Sequence, residues 1–116
     1  MCEGDDYWTD VNKLQQQVDF MEAHPDCSIC FHSAAVEVQG KAVTERMMRP
    51  YRGNRRVTPE EIIDKTSGYP TASLLFRREM VDCLPEFYVQ APIADIPLQL
   101  LASARGWGYY LDRPMC

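Results

Sequence analysis

The chain has no excess of positive charge: 12 lysines and arginines stand against 17 aspartates and glutamates, for a net charge of −5 and a pI near 4.9. Non-specific nucleic-acid binding needs a basic footprint, so no nucleic-acid partner is expected. Long apolar runs are missing, and no transmembrane segment is expected. The opening Met1-Cys2-Glu3-Gly4-Asp5-Asp6 is acidic and lacks the basic-then-apolar pattern of a secretory signal, which predicts a cytoplasmic protein. No repeat or low-complexity tract occurs. A cysteine framework is absent too. Cys2, Cys27, Cys30, Cys83 and Cys116 are odd in number, and Cys27-x-x-Cys30 has no second pair or histidine pair at zinc spacing. On a strand, residues three apart point to opposite faces, so these two sulfurs should not converge on one ion. The cysteines read as small, reduced, buried hydrophobes.

What is present fits one domain with its own core: 116 residues, 46% hydrophobic and 25% charged. Thr9 or Asp10 can cap a helix over 11–23, whose apolar stripe is Val11, Leu14, Val18 and Met21, with Gln15, Gln16 and Gln17 outward. Pro25 ends it. A strand follows over 27–38, rich in β-branched and aromatic types, and Gln39-Gly40-Lys41 reads as a turn. The stretch 47–57 has no period and reads as an exposed, mobile loop carrying Arg49, Arg52, Arg55 and Arg56. Thr58-Pro59-Glu60-Glu61 is a strong helix start, broken again by Ser67-Gly68-Tyr69-Pro70. A strand is expected over 71–76 and one or two helical turns over 77–83. Asp95 opens a deeply buried helix to Ala104, closed by Gly106 as a left-handed cap. Trp107 to Leu111 is a last strand. The expected class is α/β with α+β character, a small mixed sheet flanked by helices.

Chemistry concentrates at two places. Glu3, Asp5 and Asp6 crowd beside Gly4, and carboxylate oxygens suit Mg²⁺ or Mn²⁺. On composition alone a solvated turn is the better reading of that stretch. Asp95 begins a helix, where it serves equally as a cap. Tyr7 and Trp8 suit an apolar wall beside a substrate, with core packing equally open for Trp8. His32 reads as a satisfied core or rim residue, and the arginines of 49–56 as a solvated loop, although a phosphate contact is open to them.

The ordered set of segments is more specific than any one of them. Glu3-Gly4-Asp5-Asp6-Tyr7-Trp8-Thr9-Asp10, Lys13-Leu14-Gln15, Gln17-Val18-Asp19-Phe20, Cys30-Phe31-His32 and Pro70-Thr71-Ala72-Ser73 are followed by Phe76-Arg77-Arg78, Ala94-Asp95-Ile96-Pro97-Leu98 and Gly106-Trp107-Gly108-Tyr109-Tyr110-Leu111. Across nearly the whole chain this resembles the family 2 glycosyltransferases of GT-A type. The resemblance implies an inverting enzyme that moves a sugar from a nucleotide-sugar donor to a hydroxyl of a carbohydrate or lipid-linked acceptor, at the inner membrane surface where the acceptor is lipid-linked. It implies that residues 1–116 form one domain, the acceptor-side part, without the N-terminal nucleotide-binding half. Glu3-Gly4-Asp5 matches the family's D-x-D motif with Glu in the first place. Glu3, Asp5 and Asp6 would then serve a divalent cation, Mg²⁺ or Mn²⁺, expected only with bound donor. Asp95 matches the catalytic base, with Ala94 where the family commonly has Glu or Gly. Tyr7 and Trp8 would line the substrate site. The Q-x-x-R-W motif of processive synthases is absent, which disfavours polymer synthesis. The isolated chain is expected to be inactive and to self-associate as a homodimer through apolar surface. The alternatives are a non-catalytic carbohydrate- or protein-binding module and an inert structural fragment.

Overall fold

The computed structural model describes residues 2, 4–38, 41–64 and 69–116. In chain order the elements are α1 (Lys13–Ala23), β1 (Cys27–His32), β2 (Ala34–Val38), β3 (Lys41–Met48), β4 (Arg55–Val57), α2 (Pro59–Asp64), β5 (Leu75–Phe76), α3 (Glu86–Gln90), α4 (Asp95–Ser103) and β6 (Trp107–Leu111), with 3-10 turns at Thr71–Ser73 and Arg78–Met80. Four strands form a mixed sheet in the order β4-β6-β1-β5, and β2 pairs with β3 as a separate antiparallel ribbon. The chain is therefore mixed α and β with a small sheet between helices.

The wholly buried β1 is the centre, parallel to β6 and antiparallel to β5. Ile29, Phe31, Val57 and Tyr110 face α2 and α4, where Ile62, Tyr69, Leu74 and Ala102 complete one core. Burying side chains such as Ile29 and Phe31 contributes about 2 kcal/mol each. Met21, Cys27 and Cys30 form a second core under α1, flanked by Phe20, Trp107 and Tyr109. The bare backbone of Gly108 lets α2 approach, since a Cβ there would stand 3.0 Å from Ile62 Cδ1.

Several expectations are corrected by the packing. Helix α1 starts two residues later than expected, because the Asp10 carboxylate accepts the Asn12 N–H at 2.8 Å and makes a turn before it. Its buried stripe is Lys13, Gln17 and Met21, while Val11, Leu14 and Val18 face outward. The reason is polar: the Gln17 amide donates to the Cys30 and Ser73 carbonyls at 3.2 and 2.8 Å. Cys27 and Cys30 lie on one face rather than two, because a register irregularity between Cys27 and Ile29 shifts the alternation.

The loop expected over 47–57 is partly strand. Asp112 ties it down: it accepts from Arg49 Nε and the Gly53 N–H, each at 2.6 Å, while its own N–H reaches Asn54. Residues 71–76 are a 3-10 turn and a two-residue strand. Gly106 is not a left-handed cap; the positive-φ glycine among the described residues is Gly53. Gly106 is needed for contact instead, since a Cβ there would meet the Asp26 carbonyl at 2.4 Å. Helix α4 is buried on one side only, at Leu98, Gln99, Ala102 and Ser103. The helix start at Pro59 and the last strand form as expected, the former with Thr58 and Glu61 capping each other's backbone N–H at 3.3 and 3.0 Å. Gln39 and Gly40 of the expected turn, and Ser67 and Gly68 of the expected break, lie outside the described residues.

Candidate active site

A cleft of about 620 Å³ opens where the N-terminal segment, the β2–β3 ribbon and the start of α4 meet. Asp5, Asp6, Tyr7 and Thr9 form one wall, and Ala34 to Glu37 with Met48 a second. The third comprises Tyr69 to Ala72 together with Ile93, Asp95, Ile96 and Gln99, and Cys116 closes one end. Backbone bonds at the chain ends hold the first wall: the Thr9 N–H donates to Met115 at 3.0 Å and the Ala35 N–H to Cys116 at 2.8 Å. Arg113 pairs with Asp10 at 3.2 Å, and the Tyr7 hydroxyl donates to Glu37, which raises the phenol's pKa.

The fold thus brings together residues about ninety positions apart. Asp5, Asp6, Tyr7 and Asp95 line the same cleft. Asp95 sits in the first turn of α4, where the helix dipole accommodates negative charge. Its side chain caps nothing; one oxygen accepts the Thr71 hydroxyl proton at 2.9 Å. Asp5 and Asp6 are exposed, and among the described residues no group of three or more potential metal ligands forms. Two neighbouring carboxylates on an open wall fit a Mg²⁺-like ion that draws its other ligands from phosphate oxygens and water. Glu3 lies outside the described residues.

Trp8 does not line the cleft. Its indole N–H donates to the Ala72 carbonyl at 3.1 Å, and the Lys13 ammonium lies 4.5 Å from its ring. Trp8 belongs to no core cluster either: it stays 41% exposed, pinned against the surface by these two contacts. His32 is also away from the cleft and fully buried, with Nδ1 2.7 Å from the Ser33 carbonyl. That contact makes Nδ1 the donor, and burial pushes the imidazole pKa down to about 4. Burial likewise pushes the Cys27 and Cys30 thiols up to about 11 and about 12, so both stay protonated and unreactive.

Arg49, Arg55, Arg56 and Arg77 find partners outside the cleft. Arg49 binds Asp112, whose carboxyl is held well below the usual range chiefly by that bond. Arg55 pairs with Glu61 and lies over Tyr51, and Arg56 covers Trp107. Arg77 donates to the Cys27 and Met21 carbonyls at 3.2 and 2.6 Å, closing the end of α1.

Sequence reasoning missed Thr71, Glu37 and Gln99. Gln99 carried a signal, standing one helical turn after Asp95 and so on the same face of α4. Thr71 and Glu37 had none, because only the tertiary fold brings them to the cleft.

Three relatives, one from Mycobacterium bovis and two from strains of Mycobacterium tuberculosis, are each 33% identical to this chain over 79 residues. All three bear the description "uncharacterized protein". The match covers 68% of this chain and 22% of each relative, so the chain corresponds to about a fifth of their length. No protein-family model and no solved structure matches the chain.

Proposed function

We propose that this chain is the acceptor-side part of an inverting, GT-A-type glycosyltransferase. The observation that carries the reading is the convergence of Asp5 and Asp6 with Asp95 on one cleft. Sugar transfer needs two kinds of carboxylate, one set toward the departing diphosphate and one toward the attacking hydroxyl. In this reading Asp95, oriented by Thr71, takes the acceptor hydroxyl proton as its oxygen bonds to the anomeric carbon. The bond to the nucleoside diphosphate breaks on the opposite face, which inverts the centre. Asp5 and Asp6 would hold the divalent cation, which offsets charge building on the leaving diphosphate. Glu3 belongs to the same acidic stretch. The donor's base and ribose would be held by a preceding nucleotide-binding half, so this chain alone should not turn over.

The reading is tested by titrating Mn²⁺ with a nucleoside diphosphate into isotopically labelled chain. Paramagnetic broadening detects weak binding, and it should begin at Asp5, Asp6 and Tyr7 and then reach Asp95. Asp5→Asn with Asp6→Asn should abolish it. Broadening centred elsewhere, or unchanged in that double variant, would remove the basis for the assignment.

A further inference from the structure

The cleft has two features that the transfer reading leaves unused. The first is its charge. Asp5, Asp6, Glu37 and Asp95 line it, and among the described residues no lysine, arginine or histidine does. The second is Gln99, only 5% exposed, yet part of the cleft wall and without any hydrogen bond from its side chain. The buried polar atoms left without a partner among the described residues are His32 Nε2 and Ser33 Oγ, so the Gln99 carboxamide keeps access to the cleft, where water or a ligand completes it. Its neighbours in α4 do not leave their polar groups idle: the Ser103 hydroxyl donates back to the Leu100 carbonyl at 3.0 Å.

We propose that Gln99 reads a hydroxyl adjacent to the one at Asp95, and that the cleft takes a neutral saccharide rather than a phosphorylated or carboxylated one. The carboxamide presents a donor and an acceptor together, as a hydroxyl requires. Asp95 and Gln99 are one helical turn apart on the same face, the spacing at which side chains act as neighbours. Two vicinal hydroxyls of one sugar ring can therefore meet the two side chains. An anionic acceptor, unlike a diphosphate that brings its own divalent cation, would face four carboxylates without a counter-charge. A cation held by Asp5 and Asp6 would still leave Glu37 and Asp95 opposing it. The assignment of Asp95 to the reacting hydroxyl rests on the transfer reading; the recognition of saccharide by Gln99 does not.

The test follows the Gln99 side-chain amide signals of the labelled chain during titration with neutral methyl hexopyranosides, the matching uronates and hexose 6-phosphates. Neutral glycosides should shift those signals and the Thr71 backbone amide, and Gln99→Leu should weaken binding about tenfold, the loss expected when one hydrogen bond is removed. Uronates and phosphates should bind at least tenfold more weakly. Gln99→Glu supplies a check independent of the leucine variant: a fifth carboxylate should favour methyl hexosaminides over hexosides. Absence of saccharide binding, anions binding as well as neutral sugars, or binding indifferent to Gln99 would each overturn the proposal. If neutral saccharides bind through Gln99 while Mn²⁺ and nucleoside diphosphate ignore Asp5 and Asp6, the saccharide site stands and the transferase reading falls.

Discussion

Replacing Gln17 with leucine should be among the most damaging single changes in this chain, although the sequence pattern invites it. Gln17 is fully buried, and its amide holds three groups at once: the Cys30 and Ser73 carbonyls as acceptors and the Lys13 ammonium as donor, the last at 3.0 Å. Leucine fills a similar volume but pairs with none of them. Each buried polar group left unsatisfied costs about 1–3 kcal/mol. The Cys30 carbonyl lies within the sheet and has other partners to draw on, so the main losses fall on Ser73 and Lys13. A total near 3 kcal/mol is expected, a large share of the ~5–15 kcal/mol typical of a domain. The lysine is the decisive part. It is 1% exposed, and desolvation lowers its pKa. Removing one partner of a buried charge is worse than removing both. Urea unfolding of Gln17→Leu, Lys13→Met and the double variant closes a double-mutant cycle. The double variant should be more stable than Gln17→Leu alone. A cost for Gln17→Leu below about 1 kcal/mol, or a double variant at the simple sum, would refute the view that this pair is coupled.

Stability should also fall in mild acid. His32 has a folded pKa near 4 against an ordinary 6.5, so above pH 6.5 it is neutral in both states and its contribution is intact. As pH falls from 6.5 toward 4 the unfolded chain takes up a proton that the folded chain refuses, removing roughly 3 kcal/mol in all. Urea midpoints measured across that range should lose this slope in His32→Phe, and an unchanged slope would assign it elsewhere. A thiol reagent should label exposed Cys2 and Cys83 promptly, and Cys27 and Cys30 only on unfolding; rapid labelling of all five would contradict the buried, protonated state of the pair. Val11, Leu14 and Val18 present 98%, 41% and 41% of their surface on one side of the chain. Self-association is therefore expected to run through α1, and Val11→Lys with Val18→Lys should shift light-scattering mass toward monomer; a concentration series with no change between the proteins would exclude that face.

The pattern of what the sequence revealed has a common physical cause. Elements whose determinants are local formed where expected: the reciprocal Thr58–Glu61 cap before α2, and the aromatic run of β6. Elements whose determinants are tertiary did not. Glutamine at position 17 looks like a surface residue by composition, and only the nearness of two open carbonyls makes its burial favourable. The apolar stripe of α1 was legible as a stripe, but its direction was not, because amphipathicity identifies a helix face without saying what covers it. The same division applies to the cleft. Carboxylates at 5, 6 and 95 stood out in the sequence, since each sits beside a turn or a helix start. Their convergence depends on the N-terminal segment being tied to Met115, and on the turn at Thr71–Ser73 that brings a hydroxyl to Asp95. Gln99 is intermediate, fixed by helix geometry relative to Asp95 but given meaning only by its place in the cleft wall, where its amide makes no bond within the protein. A carboxamide that opens onto a cleft without a partner in its own fold is free to meet what enters there. On the proposed reading, the meeting point is α4 and the partner the hydroxyl-bearing face of a sugar.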